Sequence, residues 1–503
     1  MIEDAVAPAK QLRERLQEVG FIYDAVADVL GETGHAALGR NETLPGLRAT
    51  RGGSPVETLT RLWLLQAPVP LPQLDRALPG MVERLCAAGL LARSGDEVRA
   101  LLDVRPHASN DVDLWVASDL TPGMDGRPAQ VAADHVLGIS SAGTSLAQLT
   151  VRRPIDRALD LGTGCGVQAL HLATHARQVV ATDVNPRALQ LTLFNAELNG
   201  VADRVDVRAG SFFDAVPGEL FDLVATNPPF VISPAAGERL TYRDSGMPGD
   251  RVVEHVVREV PRFLTEGGTA QVLANWMVLR DQPWEERLAG WIDGCDAWVV
   301  QRELVDLPTY VELWLKDAGQ HPSTGAGVEA GDYHRRYDTW LGWLEEQGAE
   351  AVGFGWINLR RLDGSAGGPV VRLEHWPYDV EQPIGAEVDD QLARGRRVGD
   401  LTDVRLAAQH LRARADLRQE TYGAPGAEDP EEIVVRQQRR LRRARQVDTV
   451  EAALVGACDG DLSVAQILAA LAQLLDREPD ELATAYLPVV RDLVTEGFLE
   501  LAR

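Results

Sequence analysis

The sequence predicts an α/β protein: a doubly wound, largely parallel sheet in the middle of the chain, set between two mainly helical modules. Three observations carry this. Between about residues 130 and 320, continuous apolar, β-rich runs alternate with helical patterns, as parallel strands covered by helices on both faces require. A glycine-rich turn, LDLGTGCG at 159–166, lies between one such run and the helical stretch after it. Towards both ends of the chain the apolar residues recur mostly at helical spacing instead.

Residues 4–31 place Leu12, Leu16, Val19 and Phe21 on one buried helical face. A Gly/Arg-rich stretch, GLRATRGGSP, leads to the apolar helix ETLTRLWLLQ, and short helices follow near 71–78 and 80–88. The segment LLARSGDEVRALLDV alternates on both sides of SGDE, as a hairpin does. Three helices and a two-stranded wing make residues 1–108 a winged-helix-like module, with a connector at 109–129 before the central domain at 130–320.

In that domain RALDL, QVVATD, RVDVRA, FDLVATN and TAQVLANWM read as strands. GVQALHLATHA, PRALQLTLFNAELNG and DRVVEHVVREVPRFL read as the helices between them. Two later runs, AWVVQREL and TYVELWLK, have only VDLP between them and predict an antiparallel strand pair at one edge. In 321–380 a helix, YDTWLGWLEEQ, precedes two strand candidates, AVGFGWINLRRL and PVVRLEHW, which extend the sheet or cap the site.

Residues 381–503 close the chain with three helical segments and a final extended piece, TEGFLELAR, which matches the place of CAAGLLAR in the first module. This gives a second winged-helix-like arrangement. The most basic stretch, RQQRRLRRAR at 436–445, follows EDPEE. An acidic cap and proline ahead of distant arginines describe a solvated helix that complements its own dipole, in preference to an RNA-binding arm.

Composition narrows the function. Against 75 acidic residues stand 50 basic ones, a net charge of −25 over 503 residues, which opposes a sequence-blind grip on phosphate. Four dispersed cysteines show no CxxC spacing, so no metal or disulfide framework is expected and a reducing cytoplasm fits. The first residues are charged and amphipathic, and no apolar run approaches the ~20 residues of a membrane span.

The chemistry lies in the glycine loop and its neighbours. Gly162, Gly164 and Gly166 let the backbone approach a ligand closely. A dinucleotide turn needs G-x-G-x-x-G, but the third glycine here is one residue early. Asp160 would repel a pyrophosphate and suits an ammonium group. Asp183, at the end of the next strand, is placed to accept both ribose hydroxyls. An adenosine with a cationic, amine-bearing tail and no phosphate satisfies all of these, and S-adenosylmethionine (SAM) is that molecule.

At this point the chain resembles the class I SAM-dependent methyltransferases, specifically the HemK-like, small-domain N-methyltransferases with an NPPY or NPPF motif. DVNPRALQLTLFNAELNG, with Asn195 and Asn199, matches their acidic strand end and following helix. The resemblance implies a Rossmann-like, seven-stranded domain. It places SAM among Asp160, Gly162, Thr163, Gly164, Gly166, Asp183, Ser211, Phe212 and Asn227. Ser211, in RAGSFFD, stands where the family has an adenine-contacting Asp, so that contact passes to its hydroxyl, to a backbone group or to Asp214.

The motif itself is FDLVATNPPFVISP, 221–234. Pro228 and Pro229 stiffen the loop and leave carbonyls without strand partners. The Asn227 oxygen and the Pro228 carbonyl would each accept one N–H of a planar NH2 group, and Phe230 would stack on it. The resemblance implies as acceptor either a glutamine amide of a release-factor-type protein of the translation apparatus or an exocyclic amine of adenine or guanine in RNA or DNA. Acidity and the NPPFVISP loop favour the protein; Phe at 230 and the winged-helix-like modules favour RNA. A SAM-binding scaffold without catalysis is the remaining class. Tryptophans between 276 and 376 are read as core, His135 as structural, and TYRDSGMPGD (241–250) as a substrate lid.

Overall fold

A computed structural model describes residues 3–109, 112–126, 132–229, 231–234, 247–324, 328–364, 367–425 and 430–502. Its contacts divide it into two units, Met1–Ala147 with Arg153–Ile292 and Glu303–Trp356, and Gln148–Arg152 with Asp293–Arg302 and Ile357–Arg503.

The largest sheet has eight strands: β1 (Ile155–Leu161), β2 (Ala176–Asp183), β3 (Val205–Ala209), β4 (Phe221–Thr226), β5 (Leu264–Leu279), β6 (Cys295–Asp306), β7 (Ala349–Arg361) and β8 (Val371–His375). Their order is β8-β6-β7-β5-β4-β1-β2-β3. In the first unit β5, β4, β1, β2 and β3 pair in parallel throughout. Their apolar runs are buried on both faces, with Ala158, Leu159, Val179, Val180 and Val224 fully inaccessible. Helices α1 (Val167–Leu172), α2 (Pro186–Leu198) and α3 (Arg251–Glu259) connect them.

This is the doubly wound α/β architecture the sequence predicts, with one strand more than the seven expected. The extra strand is β8, parallel to β6, so the 369–376 run extends the sheet. The expected edge pair does not form. TYVELWLK belongs to a helix, α4 (Leu307–Asp317). The Asp306 carboxylate accepts the Thr309 backbone N–H and Pro308 fills the first turn, two start signals that outweigh the β-prone composition. A further helix, α5 (Ala330–Glu346), precedes β7.

Neither flanking module is simply helical. The N-terminal helices accompany a three-stranded antiparallel sheet of Val69–Pro70, Leu91–Ser94 and Glu97–Ala100. A separate hairpin, Asp103–Ser109 with Val112–Ser118, runs through the segment read as a connector. One side chain of α2 and one at its C-cap hold this hairpin. Asn195 accepts the Ala117 N–H and donates to the carbonyls of Ala117 and Cys165. Asn199 makes the same reciprocal pair with Trp115. One turn apart on one helix face, the two amides supply a strand edge with the partners a neighbouring strand would give.

In the second unit the C-terminal helices Thr449–Ala457, Val464–Leu474 and Pro479–Thr495 form as expected, together with two three-stranded antiparallel sheets. One of these corrects the reading of 436–445. Glu432–Gln437 and Ala444–Val447 are antiparallel strands joined by a turn. Ile433, Val435 and Gln437 alternate inward, a period of two that overrides the cap-like EDPEE. Its arginines face acids: Arg436 meets Glu420, Arg439 meets Glu381, Arg440 meets Glu387 and Asp390, Arg443 meets Glu374, and Arg445 meets Glu451 and Glu496. Of the tryptophans between 276 and 376, Trp276, Trp284, Trp291, Trp298, Trp340 and Trp356 are buried, in keeping with a packing role.

Candidate active site

Sheet register assembles the site. Leu161, the last residue of β1, pairs with Thr182 on one side and Thr226 on the other. Gly162, Asp183 and Asn227 each follow one of these residues, so three segments leave neighbouring strands at one edge of the sheet. The strand order reverses here, with β2 and β3 on one side of β1 and β4 and β5 on the other, and such switch points open a crevice at the carboxyl ends of the strands.

The glycine loop folds back over that edge. The Gly162 and Thr163 amides both donate to the Thr182 carbonyl at 2.9 Å. Gly164 (φ 56°) and Gly166 (φ 83°) lie in the left-handed region, where a side chain is strained. A Cβ on Gly166 would also sit 3.0 Å from Thr192 of α2, whereas one on Gly162 or Gly164 would meet nothing within 4 Å. Gly166 thus serves helix packing, and the other two face open space.

Two carboxylates, the buried Asp160 and the half-buried Asp183, brace the loop. Asp160 Oδ2 accepts the Thr163 hydroxyl at 2.6 Å and the Ala169 amide at 2.9 Å. Burial pushes the Asp160 carboxyl up to about 7, against the pull of those hydrogen bonds. Asp183 accepts the Gly164 amide on one oxygen and the Asn185 amide on the other, each at 2.9 Å. Burial raises its pKa as well. Each carboxylate oxygen has more than one acceptor direction, so Asp183 retains capacity for a ligand hydroxyl.

A cavity of ≈ 910 Å³ lies over this edge, and it brings together Asp160, Gly162, Thr163, Gly164, Asp183, Ser211, Phe212, Asn227, Pro228 and Pro229. Gly166 stands behind it. Asp214 is exposed and does not line it. Phe230 lies outside the described residues, as do 241–246 of the expected lid. Asp250, at that segment's far end, is buried and ion-paired to Arg287 at 2.6 Å. His135 lines the cavity with its Nδ1 3.7 Å from Asp119.

The Asn227 Oδ1 is buried and has no hydrogen-bond partner among the described residues. Buried acceptors are almost always paired, and this one belongs to a residue that lines the cavity. Sequence reasoning missed the 133–143 wall, Val184 and, across the cavity, Leu313, Trp314 and Asp317. The α4 residues were hidden by the strand assignment. Leu307, Tyr310, Val311 and Leu315 are the buried positions of α4, a helical spacing that was there to be read.

A glycine loop braced by two carboxylates, facing an Asn-Pro-Pro turn across the switch point, defines a methyltransferase domain of the SAM-dependent class. Residues 140–290 match the family model described as methyltransferase small domain. The flanks match two families described only as domains of unknown function, DUF7059 over 18–101 and DUF7782 over 396–501.

Similar curated proteins include the ribosomal protein uL3 glutamine methyltransferase of Bradyrhizobium diazoefficiens, 29% identical over 187 residues, or 34% of this chain and 57% of that one. The release factor glutamine methyltransferase of Aquifex aeolicus is 34% identical over 128 residues, 23% of this chain and 46% of the relative. That of Cereibacter sphaeroides is 40% identical over 88 residues, 17% and 31% of the two chains. The chain therefore spans about half the length of the first two and less of the third. Among the described residues no helix is long and apolar enough to cross a membrane, and no group of three or more His, Cys, Asp or Glu is arranged to hold a metal ion.

Proposed function

We propose that this chain is a SAM-dependent N-methyltransferase that modifies a planar NH2 group, and that its acceptor is a glutamine side-chain amide of a protein of the translation apparatus. The unpartnered, buried Oδ1 of Asn227 at the cavity wall carries the reading. The residues present fit SAM: Gly162 and Gly164 border open space, Asp183 can receive the ribose hydroxyls, Asp160 lies near enough to favour an ammonium group, and Ser211 and Phe212 stand at the adenine end. When bound, SAM supplies a methyl group activated by a sulfonium.

The chain's own residues present the acceptor. The Asn227 Oδ1 and the Pro228 carbonyl accept its two N–H bonds and orient the nitrogen, and the prolines keep these acceptors from drifting. Positioning of this kind is worth ~7–11 kcal/mol of barrier in favourable cases.

Charge favours a polypeptide over a nucleic acid. The described residues lining the cavity include Asp134, Asp160, Asp183 and Asp317 but no Arg or Lys, and five of the six arginines at 436–445 already face acids. Among the described lining residues a phosphate backbone would find no Arg or Lys as counter-charge.

Tritiated SAM, the purified chain and a cell lysate, split between RNase and protease before counting, test this. Label that survives RNase but not protease is expected. Label lost to RNase would replace the amide with a nucleobase amine. Measurable SAM binding without label would leave a cofactor-binding scaffold.

A further inference from the structure

Downstream of Asn227 the chain is anchored at Ile232. The Ile232 N–H donates to the Tyr310 hydroxyl at 2.8 Å, and the Trp340 indole N–H donates to the Ile232 carbonyl at 2.9 Å. The Asn275 amide of β5 donates to the same hydroxyl at 3.2 Å. Ile232, Tyr310 and Trp340 are buried. Both backbone groups of Ile232 are thus held by aromatic side chains from α4 and α5, helices beyond the 140–290 family match. Only Pro228, Pro229 and two further residues separate that anchor from Asn227, so it limits where the Asn227 amide can sit.

The same helix lines the cavity. Tyr310, Leu313, Trp314 and Asp317 lie at i, i+3, i+4 and i+7, one helical face, and the last three border the cavity. Leu313 is 48% exposed there, a large apolar group open to whatever enters.

We infer that α4 is the acceptor-selecting element of this site. Tyr310, with Trp340, is a positioning residue that fixes the Asn227 loop through Ile232, and Leu313 with Trp314 is the apolar wall against which an uncharged acceptor segment lies. The acceptor half of this inference rests on the N-methyltransferase reading; the anchoring half does not.

Tyr310→Phe and Leu313→Glu in the full chain test it, with three readouts: SAM affinity by calorimetry, amide hydrogen exchange at 231–233, and transfer from tritiated SAM to RNase-treated protein extract. In Tyr310→Phe the Ile232 amide loses its acceptor, and its exchange should quicken about tenfold or more. Its turnover should fall by about tenfold or more while SAM affinity stays within about twofold. In Leu313→Glu the apparent KM for extract should rise about tenfold at unchanged SAM affinity, and Leu313→Met should recover most of that loss.

Unchanged exchange in Tyr310→Phe overturns the anchor, as does a SAM affinity that falls in step with turnover. An unaltered KM in Leu313→Glu overturns the wall. A wild-type chain that binds SAM but labels nothing removes the wall together with the methyl-transfer reading, and exchange then decides the anchor alone.

Discussion

Replacing Asn227 by alanine should separate stability from activity. The Oδ1 it removes is buried and lacks a partner among the described residues, and such an orphaned acceptor costs the folded state about 1–3 kcal/mol. Alanine relieves that cost and loses only the packing of one small amide, so unfolding free energy should stay within about 1 kcal/mol of wild type or rise. Turnover should move the other way. An aimed polar group at a reacting centre is worth about 3–4 kcal/mol, a loss of roughly two to three decades. The glycine loop, Asp160 and Asp183 are untouched, so SAM should still bind. Urea unfolding, calorimetry with SAM and single-turnover transfer measure the three quantities. Turnover within about threefold of wild type would refute the role. A stability loss above about 2 kcal/mol would show that the amide was satisfied after all.

Three further outcomes follow from named groups. Burial raises the Asp160 carboxyl to about 7, so the folded state holds that proton more tightly than the unfolded one, and unfolding free energy falls as pH rises from about 4 to 7; Asp160→Asn should flatten that part of the cofactor-free stability profile and weaken SAM binding. For Glu374, burial acts to raise the carboxyl, but Arg443 and Arg372 overcome it and hold the pKa at about 2. Its stabilisation is present above the ordinary carboxylate pKa and lost as pH falls from about 4.5 to 2, and Glu374→Gln should remove that acid-side slope in denaturant titrations. Gly166→Ala should lower the unfolding free energy measured in urea by about 1–2 kcal/mol through its left-handed backbone, with the Thr192 contact adding to the loss.

Much of the site was legible because it depends on residues whose chemistry is local. Glycines at 162, 164 and 166, an acid at or next to the end of each of two strands, and Asn-Pro-Pro after a third all read directly, and β1–β2 and β1–β4 register then brings them together. What failed were segments where two periods compete. TYVELWLK is rich in β-branched and aromatic residues, yet Asp306 and Pro308 start a helix. EIVVRQ follows helix-start residues, yet Ile433, Val435 and Gln437 alternate. The Ile232 anchor was illegible for another reason: its partners, Tyr310 and Trp340, lie 78 and 108 residues away, and no local pattern encodes such a contact.

The amide seam between α2 and the hairpin also bears on how this chain can be divided. The family match begins at residue 140, but Trp115 and Ala117, which Asn199 and Asn195 hold, precede it. A fragment cut to the match would leave those two amides facing solvent or bare protein, on the same helix whose Thr192 packs against Gly166 and donates to the Gly164 carbonyl. The glycine loop and the upstream hairpin therefore share one support. The hairpin is thus a structural part of the same folding unit, and the smallest autonomous piece should begin ahead of Asp103.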